Sequence, residues 1–181
     1  MSVPDFQPWP KIARLNRTIV VTEKIDGTNA AVVVTPELEV WAQSRKRTLN
    51  PDIGVDNFGF GSWVMQNADE LRRLGPGYHY GEWHGLGIQR GYGLFERRFA
   101  LFNTDRWGDE DVRPTCCDVV PVLYQGTFSG DAIDECVADL LCFGSRVNNF
   151  PKAEGIVVYH TAARTSFKVT LDNDQLPKGV Q

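Results

Sequence analysis

A seven-residue segment near the N-terminus, Glu23-Lys24-Ile25-Asp26-Gly27-Thr28-Asn29, brings a lysine, two carboxylates and a glycine close together. It follows a β-branched, apolar run, so we expect Lys24 at the end of a strand. Lysine is protonated at neutral pH and becomes a nucleophile only where its surroundings favour the neutral amine. Because alternate strand residues share a face, Asp26 is expected to face the same cavity as Lys24. The pattern suits nucleophilic attack on a phosphorus centre.

The same residues are also compatible with purely structural roles. The first segment could be a β-turn with a solvated lysine and a capping aspartate. Phe102 could pack in a core, as most strand aromatics do. However, residues suited to chemistry begin or close predicted strands beside small residues at four places: Lys24, Glu82, Glu154 and Lys168. A structural explanation does not account for that coincidence.

Short sequence blocks follow one another in a fixed order along nearly the whole chain. They are Lys24-Ile25-Asp26-Gly27, Gln43-Ser44-Arg45, Tyr80-Gly81-Glu82-Trp83-His84-Gly85 with Gly87-Ile88-Gln89, Phe99-Ala100-Leu101-Phe102-Asn103, Ala153-Glu154-Gly155-Ile156-Val157 and Phe167-Lys168-Val169. This ordered set resembles the motifs of the covalent nucleotidyltransferases, the superfamily of polynucleotide ligases and mRNA capping enzymes. Within it, the chain most resembles the phage-type RNA ligases, whose first motif is Glu-Lys-x-His/Asp-Gly-Thr-Asn.

The resemblance implies an ATP-dependent RNA ligase of RNA repair. In such enzymes the motif lysine attacks the α-phosphorus of ATP, releases pyrophosphate and holds AMP as a phosphoramidate. AMP then passes to a 5′-phosphate end, and a 3′-hydroxyl displaces it to seal the strand. The implied cofactors are ATP and Mg²⁺ or Mn²⁺, and the implied partners are RNA ends or a nicked RNA duplex.

The resemblance also assigns catalytic roles to individual residues. Lys24 is the nucleophile that carries AMP. Glu154, together with Asp26, holds the divalent metal ion, and carboxylate oxygens of this kind favour Mg²⁺ or Mn²⁺ over zinc. Lys168 binds the α-phosphate and offsets the charge that builds up in the transition state.

A second group of residues is expected to bind the nucleotide. Arg45 and Glu82 hold its ribose and phosphate, with Glu82 accepting hydrogen bonds from the ribose hydroxyls. Phe102 stacks on the adenine, and Glu23 contacts its exocyclic amine. The full nucleotide-binding set implied by the resemblance is Glu23, Lys24, Asn29, Arg45, Glu82, Phe102, Glu154 and Lys168.

The chain departs from the family pattern in two ways. The last motif often reads Lys-x-Lys, and Thr170 stands at its second position, with Lys178 or Arg164 as candidate replacements. Many relatives also carry a C-terminal domain that grips the nucleic acid. The sequence ends soon after the last motif, and we interpret residues 1–181 as a single adenylyltransferase domain without a C-terminal accessory domain.

Charge limits how a nucleic acid could be bound. The 181 residues include 19 basic and 23 acidic side chains, giving a net charge of −4. No overall positive field would therefore attract phosphates, and a polynucleotide must be held by local basic patches. The candidate nucleic-acid contacts are Arg45, Lys46, Arg47 and Arg90.

Hydrophobic patterning predicts one α+β domain with mainly antiparallel sheets and flanking helices. Together with the resemblance, this indicates the nucleotidyltransferase (ATP-grasp-like) fold. The expected strands are 18–25, 30–35, 38–43, 78–83, 98–103, 119–124, 155–160 and 166–171, with helices over 63–74 and 131–142 and loops over 50–61 and 85–93. There is no signal peptide and no apolar run of membrane-spanning length, so a cytoplasmic protein is expected, in the host cytoplasm if it is viral. The oligomeric state is left open.

Two other functional classes stay open at this point. One is a related enzyme, either a small DNA ligase or a capping-type guanylyltransferase. The other is a nucleotide-binding or RNA-binding module that has lost catalysis. The first motif and the Gly87-Ile88-Gln89 extension favour RNA ligase.

Overall fold

The structure is a computed structural model that describes residues 3–172. In this range the chain forms two β-sheets with short helices packed against them. The strands are β1 (Thr18–Lys24), β2 (Thr28–Val34), β3 (Val40–Ser44), β4 (Gly77–Gly85), β5 (Arg97–Leu101), β6 (Cys117–Val119), β7 (Val122–Thr127), β8 (Gly155–His160) and β9 (Thr165–Thr170). The helices are α1 (Phe60–Gln66), α2 (Ala68–Leu71), α3 (Thr104–Trp107) and α4 (Gly130–Phe143), with 3₁₀ turns at Pro51–Ile53, Arg72–Leu74 and Gly91–Gly93.

The strands form two sheets that together enclose one cleft. The first sheet has the order β7-β1-β8-β9, and the second has the order β3-β2-β4-β5-β6. Every pairing described is antiparallel except that of β5 with β6. The predicted α+β class with mainly antiparallel sheets is therefore confirmed.

Each sheet buries its outer face under helices and turns its inner face to the cleft. On β1, Ile19 and Val21 are fully buried in a cluster that includes Cys136 and Leu140 of α4. The outer face of the second sheet packs against α1 and α2 through a larger cluster that includes Phe60. The intervening residues of the same strands point the other way, because side chains alternate along a strand.

The helix expected over 63–74 is not continuous. It begins three residues earlier, at Phe60, and divides into α1, α2 and a 3₁₀ turn. The break lies at Asn67, whose side-chain amide donates a 2.8 Å hydrogen bond to the Trp63 carbonyl. Asparagine competes with helical hydrogen bonding in this way, and the apolar spacing that predicted one helix does not register it.

The strand expected over 119–124 is also divided, and its two halves belong to different sheets. β6 pairs with β5, whereas β7 pairs with β1. Between them, the Pro121 carbonyl accepts a 2.9 Å hydrogen bond from the Glu23 backbone. Proline lacks an N–H group and cannot continue a ladder, so the chain crosses from one sheet to the other here. The third expected strand starts at Val40, because Leu38 occupies a left-handed turn with φ of 65°.

Close strand packing at Gly81 gives a test of this arrangement. A Cβ there would lie 2.4 Å from the Ala100 carbonyl oxygen, whereas a Cβ at Gly130, in the first turn of α4, meets nothing within 4 Å. We expect Gly81→Ala to lower the free energy of unfolding by about 1–3 kcal/mol, the usual cost of overpacking. Gly130→Ala, the matched control, should leave stability unchanged or raise it by up to about 1 kcal/mol. Urea denaturation of both variants measures the difference, and equal stabilities would contradict the packing described.

Candidate active site

A cavity of about 1200 Å³ lies between the inner faces of the two sheets. The first sheet contributes alternate β1 residues, and the second contributes residues of β2, β3 and β4 together with the segment after β5. Six of the predicted nucleotide-binding residues lie in this lining. They are Glu23, Lys24, Asn29, Arg45, Glu82 and Phe102.

Lys24 and Glu154 form an ion pair at one end of the cleft. Lys24 is the last residue of β1 and pairs with Gly155 of β8, so Glu154 lies immediately before its partner. Lys24 Nζ is 2.6 Å from Glu154 Oε1, and both side chains are largely shielded from solvent. The second oxygen, Oε2, is buried and has no hydrogen-bond partner among the described residues. Glu154 thus keeps one acceptor available beside the candidate nucleophile.

Glu82 lies next to this pair on the second sheet. It is directly opposite Asn29 in the β2–β4 ladder, and the Asn29 amide donates a 2.9 Å hydrogen bond to Glu82 Oε2. Burial raises the pKa of Glu82 to about 7, and the negative charge of Glu154 adds to this, while Lys24 and Asn29 act in the opposite direction. A carboxylate with this pKa changes charge in the neutral range, which is common at functional sites.

Asp26 does not line the cavity with Lys24, contrary to the expectation from strand alternation. The strand ends at Lys24, so the alternation stops there. The Asp26 carboxylate instead accepts a 2.9 Å hydrogen bond from Arg90 Nε. Arg90 also donates to the Ala153 carbonyl at 3.0 Å, so it connects the segment after Lys24 to the segment before Glu154. Arg90, a candidate nucleic-acid contact, is thus engaged inside the protein.

Glu23 is directed away from Lys24, into the protein. Its carboxylate accepts hydrogen bonds from the Ser145 hydroxyl and, at 2.8 Å, from the Arg146 backbone N–H. The residue is 1% exposed, and burial raises its pKa. In the described arrangement both carboxylate oxygens are occupied, so Glu23 ties the end of β1 to the loop after α4.

Phe102 lines the cleft and is not a core residue. Its side chain is 42% exposed, whereas Phe99 on the opposite face of the same segment is fully buried. The Phe102 backbone N–H donates to the Tyr80 carbonyl at 3.0 Å, which extends the β4–β5 pairing by one residue. An exposed aromatic ring on a cavity wall is the geometry that a stacked base requires.

The other basic residues that were predicted to bind ligands differ in their position relative to the cavity. Lys168 of β9 is exposed and pairs with Val157, a cavity-lining residue, so both side chains lie on the inner face of the first sheet. Lys46 and Arg47 are exposed in the turn after β3 and do not line the cavity. Lys178, one candidate to replace the second motif lysine, lies outside the described residues.

The donor set fits a divalent metal ion only in part. Glu154 Oε2 is a buried acceptor without a partner, and a hard cation prefers such an oxygen. Within residues 3–172, however, no group of three or more His, Cys, Asp or Glu side chains is positioned to hold a metal. Mg²⁺ is usually held by one or two carboxylates together with substrate phosphates. A cation at Glu154 would thus take its other ligands from a bound nucleotide and water.

Tyr92 is a residue that the motif blocks did not identify. Its ring is fully buried, and its hydroxyl oxygen accepts a 2.6 Å hydrogen bond from the Asp26 backbone N–H. The backbone at Tyr92 has a φ of 51°, which is unusual for a residue other than glycine. In the sequence, Tyr92 stands between two glycines in a loop between motifs, and this feature could have identified it.

With this geometry established, the sequence model of the RNA ligase family matches residues 17–170 of the chain. The chain belongs to the RNA ligase family. The match spans every strand of the described structure and includes both Lys24 and Lys168. No curated protein matches the sequence.

Solved RNA ligases share the fold. A mutant of Naegleria gruberi RNA ligase determined with ATP and manganese superposes with a TM-score of 0.64 at 19% sequence identity, covering 87% of this chain and 51% of that one. Another mutant of the same ligase, with AMP and manganese, gives a TM-score of 0.61 at 18% identity over 86% and 50% of the two chains. The predicted nucleotidyltransferase fold is confirmed. The chain spans about half the length of these structures.

In the RNA ligase chain described here, no helix within residues 3–172 is long and apolar enough to cross a membrane.

The raised pKa of Glu82 predicts a specific pH dependence of stability. Between its ordinary pKa of 4.5 and the folded-state value of about 7, folded Glu82 keeps a proton that the unfolded chain has lost. The Glu82 contribution to the free energy of unfolding should thus fall as pH rises from about 5 to 7, by about 3 kcal/mol at most, and then level off. Urea denaturation across this range should show a smaller fall in Glu82→Gln than in wild type, because buried Glu23, whose pKa is also raised, still contributes in the variant. Glu39→Gln, at an exposed carboxylate, should behave as wild type, and parallel pH profiles for wild type and Glu82→Gln would disprove the assignment.

Proposed function

We propose that the chain is the adenylyltransferase domain of an ATP-dependent RNA ligase that joins 5′-phosphate and 3′-hydroxyl RNA ends through a lysyl-AMP intermediate. The observation that carries the proposal is the position of Lys24, at the end of β1 beside Glu154 and Glu82, in a cleft of nucleotide size within an RNA ligase family chain. Residues 1–181 are proposed as one such domain, with a role in RNA repair like that of phage RNA ligases.

The cleft can orient ATP with its phosphates towards Lys24. Phe102 offers an exposed ring for the adenine on the wall of the second sheet. Glu82, when ionised, accepts hydrogen bonds from ribose hydroxyls, and Asn29 holds its carboxylate in place. Arg45 is an exposed cation on the same wall, suited to ribose and phosphate oxygens. The base, the sugar and the α-phosphate then lie in that order towards the end of β1.

The first chemical step forms one bond and breaks one bond. Lys24 Nζ attacks the α-phosphorus, a nitrogen–phosphorus bond forms, and the bond to the departing pyrophosphate breaks. Lys24 must lose its ammonium proton before attack, and Glu154 Oε1, at 2.6 Å, is positioned to accept it. The ion pair therefore holds the nucleophile in place while keeping it unreactive until a proton is removed.

Charge on the transferring group is offset by cations at the first sheet. A divalent metal ion held at Glu154, Mg²⁺ or Mn²⁺, would supply positive charge to the α-phosphate and to the leaving pyrophosphate. Lys168, on the inner face of the first sheet, is proposed to bind the α-phosphate directly. Asp26, through Arg90, is proposed to fix the segment that carries Lys24 rather than to ligate the metal.

Covalent labelling tests the proposed nucleophile. Incubation with ATP and Mg²⁺ should raise the intact mass of the protein by one AMP, and peptide mapping should place the adduct on Lys24. Lys24→Ala should abolish labelling, whereas Lys11→Ala, at an exposed lysine that does not line the cavity, should not change it. An adduct on another residue would refute the mechanism. Labelling from GTP but not ATP would indicate a capping-type enzyme, and no labelling from either would indicate a silent binding module.

Nucleotide binding tests the role of Phe102. We expect Phe102→Ala to weaken ATP affinity by about 1–3 kcal/mol, the usual contribution of one base–aromatic stack. Phe102→Leu should keep the apolar bulk but recover only part of that affinity. Phe143→Ala, which removes an exposed ring on α4, is the control. Isothermal titration calorimetry gives the affinities, and unchanged binding with a lowered melting temperature would assign Phe102 a structural role.

A further inference from the structure

A strip of exposed aromatic rings continues outward from the proposed nucleotide site along the second sheet. It consists of Trp41 on β3 and Tyr78 and Tyr80 on β4, and we call it the aromatic strip. Their side chains are 47%, 60% and 55% exposed, respectively. The rings of Tyr78 and Tyr80 are nearly parallel, with an interplanar angle of 16° and centroids 6.2 Å apart.

Strand register places the strip on the inner face of the sheet, in rows that lead away from the reaction centre. Asn29 and Glu82 are opposite one another in the row nearest Lys24. Tyr80 is in the next row, with Ala31 and Gln43, and Phe102 extends this row beyond β5. Tyr78 is in the outermost row, with Val33 and Trp41.

The strip has no packing role that explains it. Residues between its members, such as Val32, Val34 and Ala42, point to the opposite face and are buried in the core under α1 and α2. The aromatic side chains themselves project from the uncovered face of the sheet within the described structure. Large rings in strands normally pack, so an exposed and aligned set of them on a cleft wall indicates a binding surface.

We propose that the aromatic strip is a base-stacking platform for unpaired nucleotides of the RNA strand next to the end that reacts. This inference rests on the proposed function, because it requires an RNA end at Lys24. Successive rows on one strand face are separated by about 7 Å, so Tyr80 and Tyr78 lie about 7 and 14 Å beyond Glu82 along β4. The strip therefore takes nucleotides that neighbour the reacting one, not the reacting nucleotide itself.

Charge and chemistry favour RNA over a protein partner. The exposed charged side chains of the cleft wall beside the strip are Arg45 and Arg106, with Asp105 as the acid. This wall is thus more basic than the chain as a whole, which carries −4. Aromatic rings on an open sheet face are a recurring means of binding single-stranded RNA, because every unpaired base has a face to stack. A paired base has no such free face, so the platform selects unpaired nucleotides.

The test measures RNA binding and self-adenylation separately. The RNA probe is a fluorescent single-stranded oligonucleotide about ten nucleotides long. We expect the double variant Trp41→Ala/Tyr78→Ala to weaken its binding about tenfold or more. Trp41→Phe/Tyr78→Phe keeps the rings and should bind within about threefold of wild type. Trp41→Leu/Tyr78→Leu keeps apolar bulk without a π-face and should behave like the alanine pair, which covers the case in which the alanine pair is unstable.

Controls separate stacking from charge and from loss of fold. Stacking releases no counterions, so the slope of log affinity against log salt should be unchanged in the leucine pair. It should become shallower in Lys46→Ala/Arg47→Ala if those cations contact phosphates. Phe143→Ala should change neither affinity nor slope. Self-adenylation by ATP should be retained in every one of these strip variants, because Trp41 and Tyr78 lie in the outermost row, beyond the row that carries Phe102.

Each outcome decides between distinct conclusions. Loss of RNA affinity in the leucine pair with intact adenylation and an unchanged salt slope supports the platform. Wild-type RNA affinity in the leucine pair overturns the inference while leaving the proposed function intact. Absence of adenylation in wild type instead rejects the proposed function itself. A change of oligomeric state in the strip variants, detected by analytical ultracentrifugation, would identify the strip as a self-association surface and would also overturn the inference.

Discussion

The antiparallel pairing of β1 with β8 is the constraint on which the candidate active site depends. It sets Lys24 opposite Gly155 and thus brings Glu154 to the lysine from a position 130 residues away along the chain. On the other side of β8, close packing with β9 depends on Gly155 having no side chain: a Cβ there would lie 2.1 Å from the Val169 carbonyl oxygen of β9. Any other residue would push β9 and Lys168 away. Gly155 therefore allows β8 and β9 to pack closely, and the spacing of the candidate catalytic residues on these strands follows from this packing.

A second layer of polar contacts holds the Lys24 end of this pairing in place. Arg90 links the Asp26 carboxylate to the Ala153 carbonyl, so the residues that follow Lys24 are tied to the residue that precedes Glu154. The Tyr92 hydroxyl fixes the Asp26 backbone from the buried side. The ionic groups of this layer are mostly shielded from water, where an ion pair with satisfied hydrogen bonds gives a defined geometry more than it gives stability. Positioning of the nucleophile is thus shared between a strand register and a buried network.

The sequence was informative wherever a local pattern determines the structure. Alternating apolar residues predicted most strands, and Ser129 and Gly144 predicted the ends of α4, where the Ser129 hydroxyl accepts a hydrogen bond from the Ala132 N–H. Predictions were wrong where a single residue overrides the pattern, as Asn67 does in the first helix and Pro121 does between β6 and β7. The expectation that Asp26 faces the same cavity as Lys24 was wrong for a similar reason. Alternation predicts which face a side chain occupies only while the strand continues, and β1 ends at Lys24. The partners of Glu23 and Asp26 are distant in sequence, so no local pattern could have identified them.

The cleft is chemically divided along its length, and this division follows from how strands alternate. Near Lys24, the inner faces carry Glu82 and Glu154, and burial of Glu82, with repulsion from the charge of Glu154 adding to it, raises the pKa of Glu82 to about 7, so that this carboxyl is about half protonated at pH 7. A ligand that brings hydroxyl donors to Glu82 or a cation to Glu154 relieves this repulsion, so the polar end gains most from a nucleotide with its metal ion. Farther from Lys24, every second residue of these strands still faces the cleft, but the side chains at these positions are aromatic rings instead of charged groups. One pair of sheets thereby presents a polar surface suited to phosphate chemistry and an aromatic surface suited to bases, in the order in which a polynucleotide end would meet them.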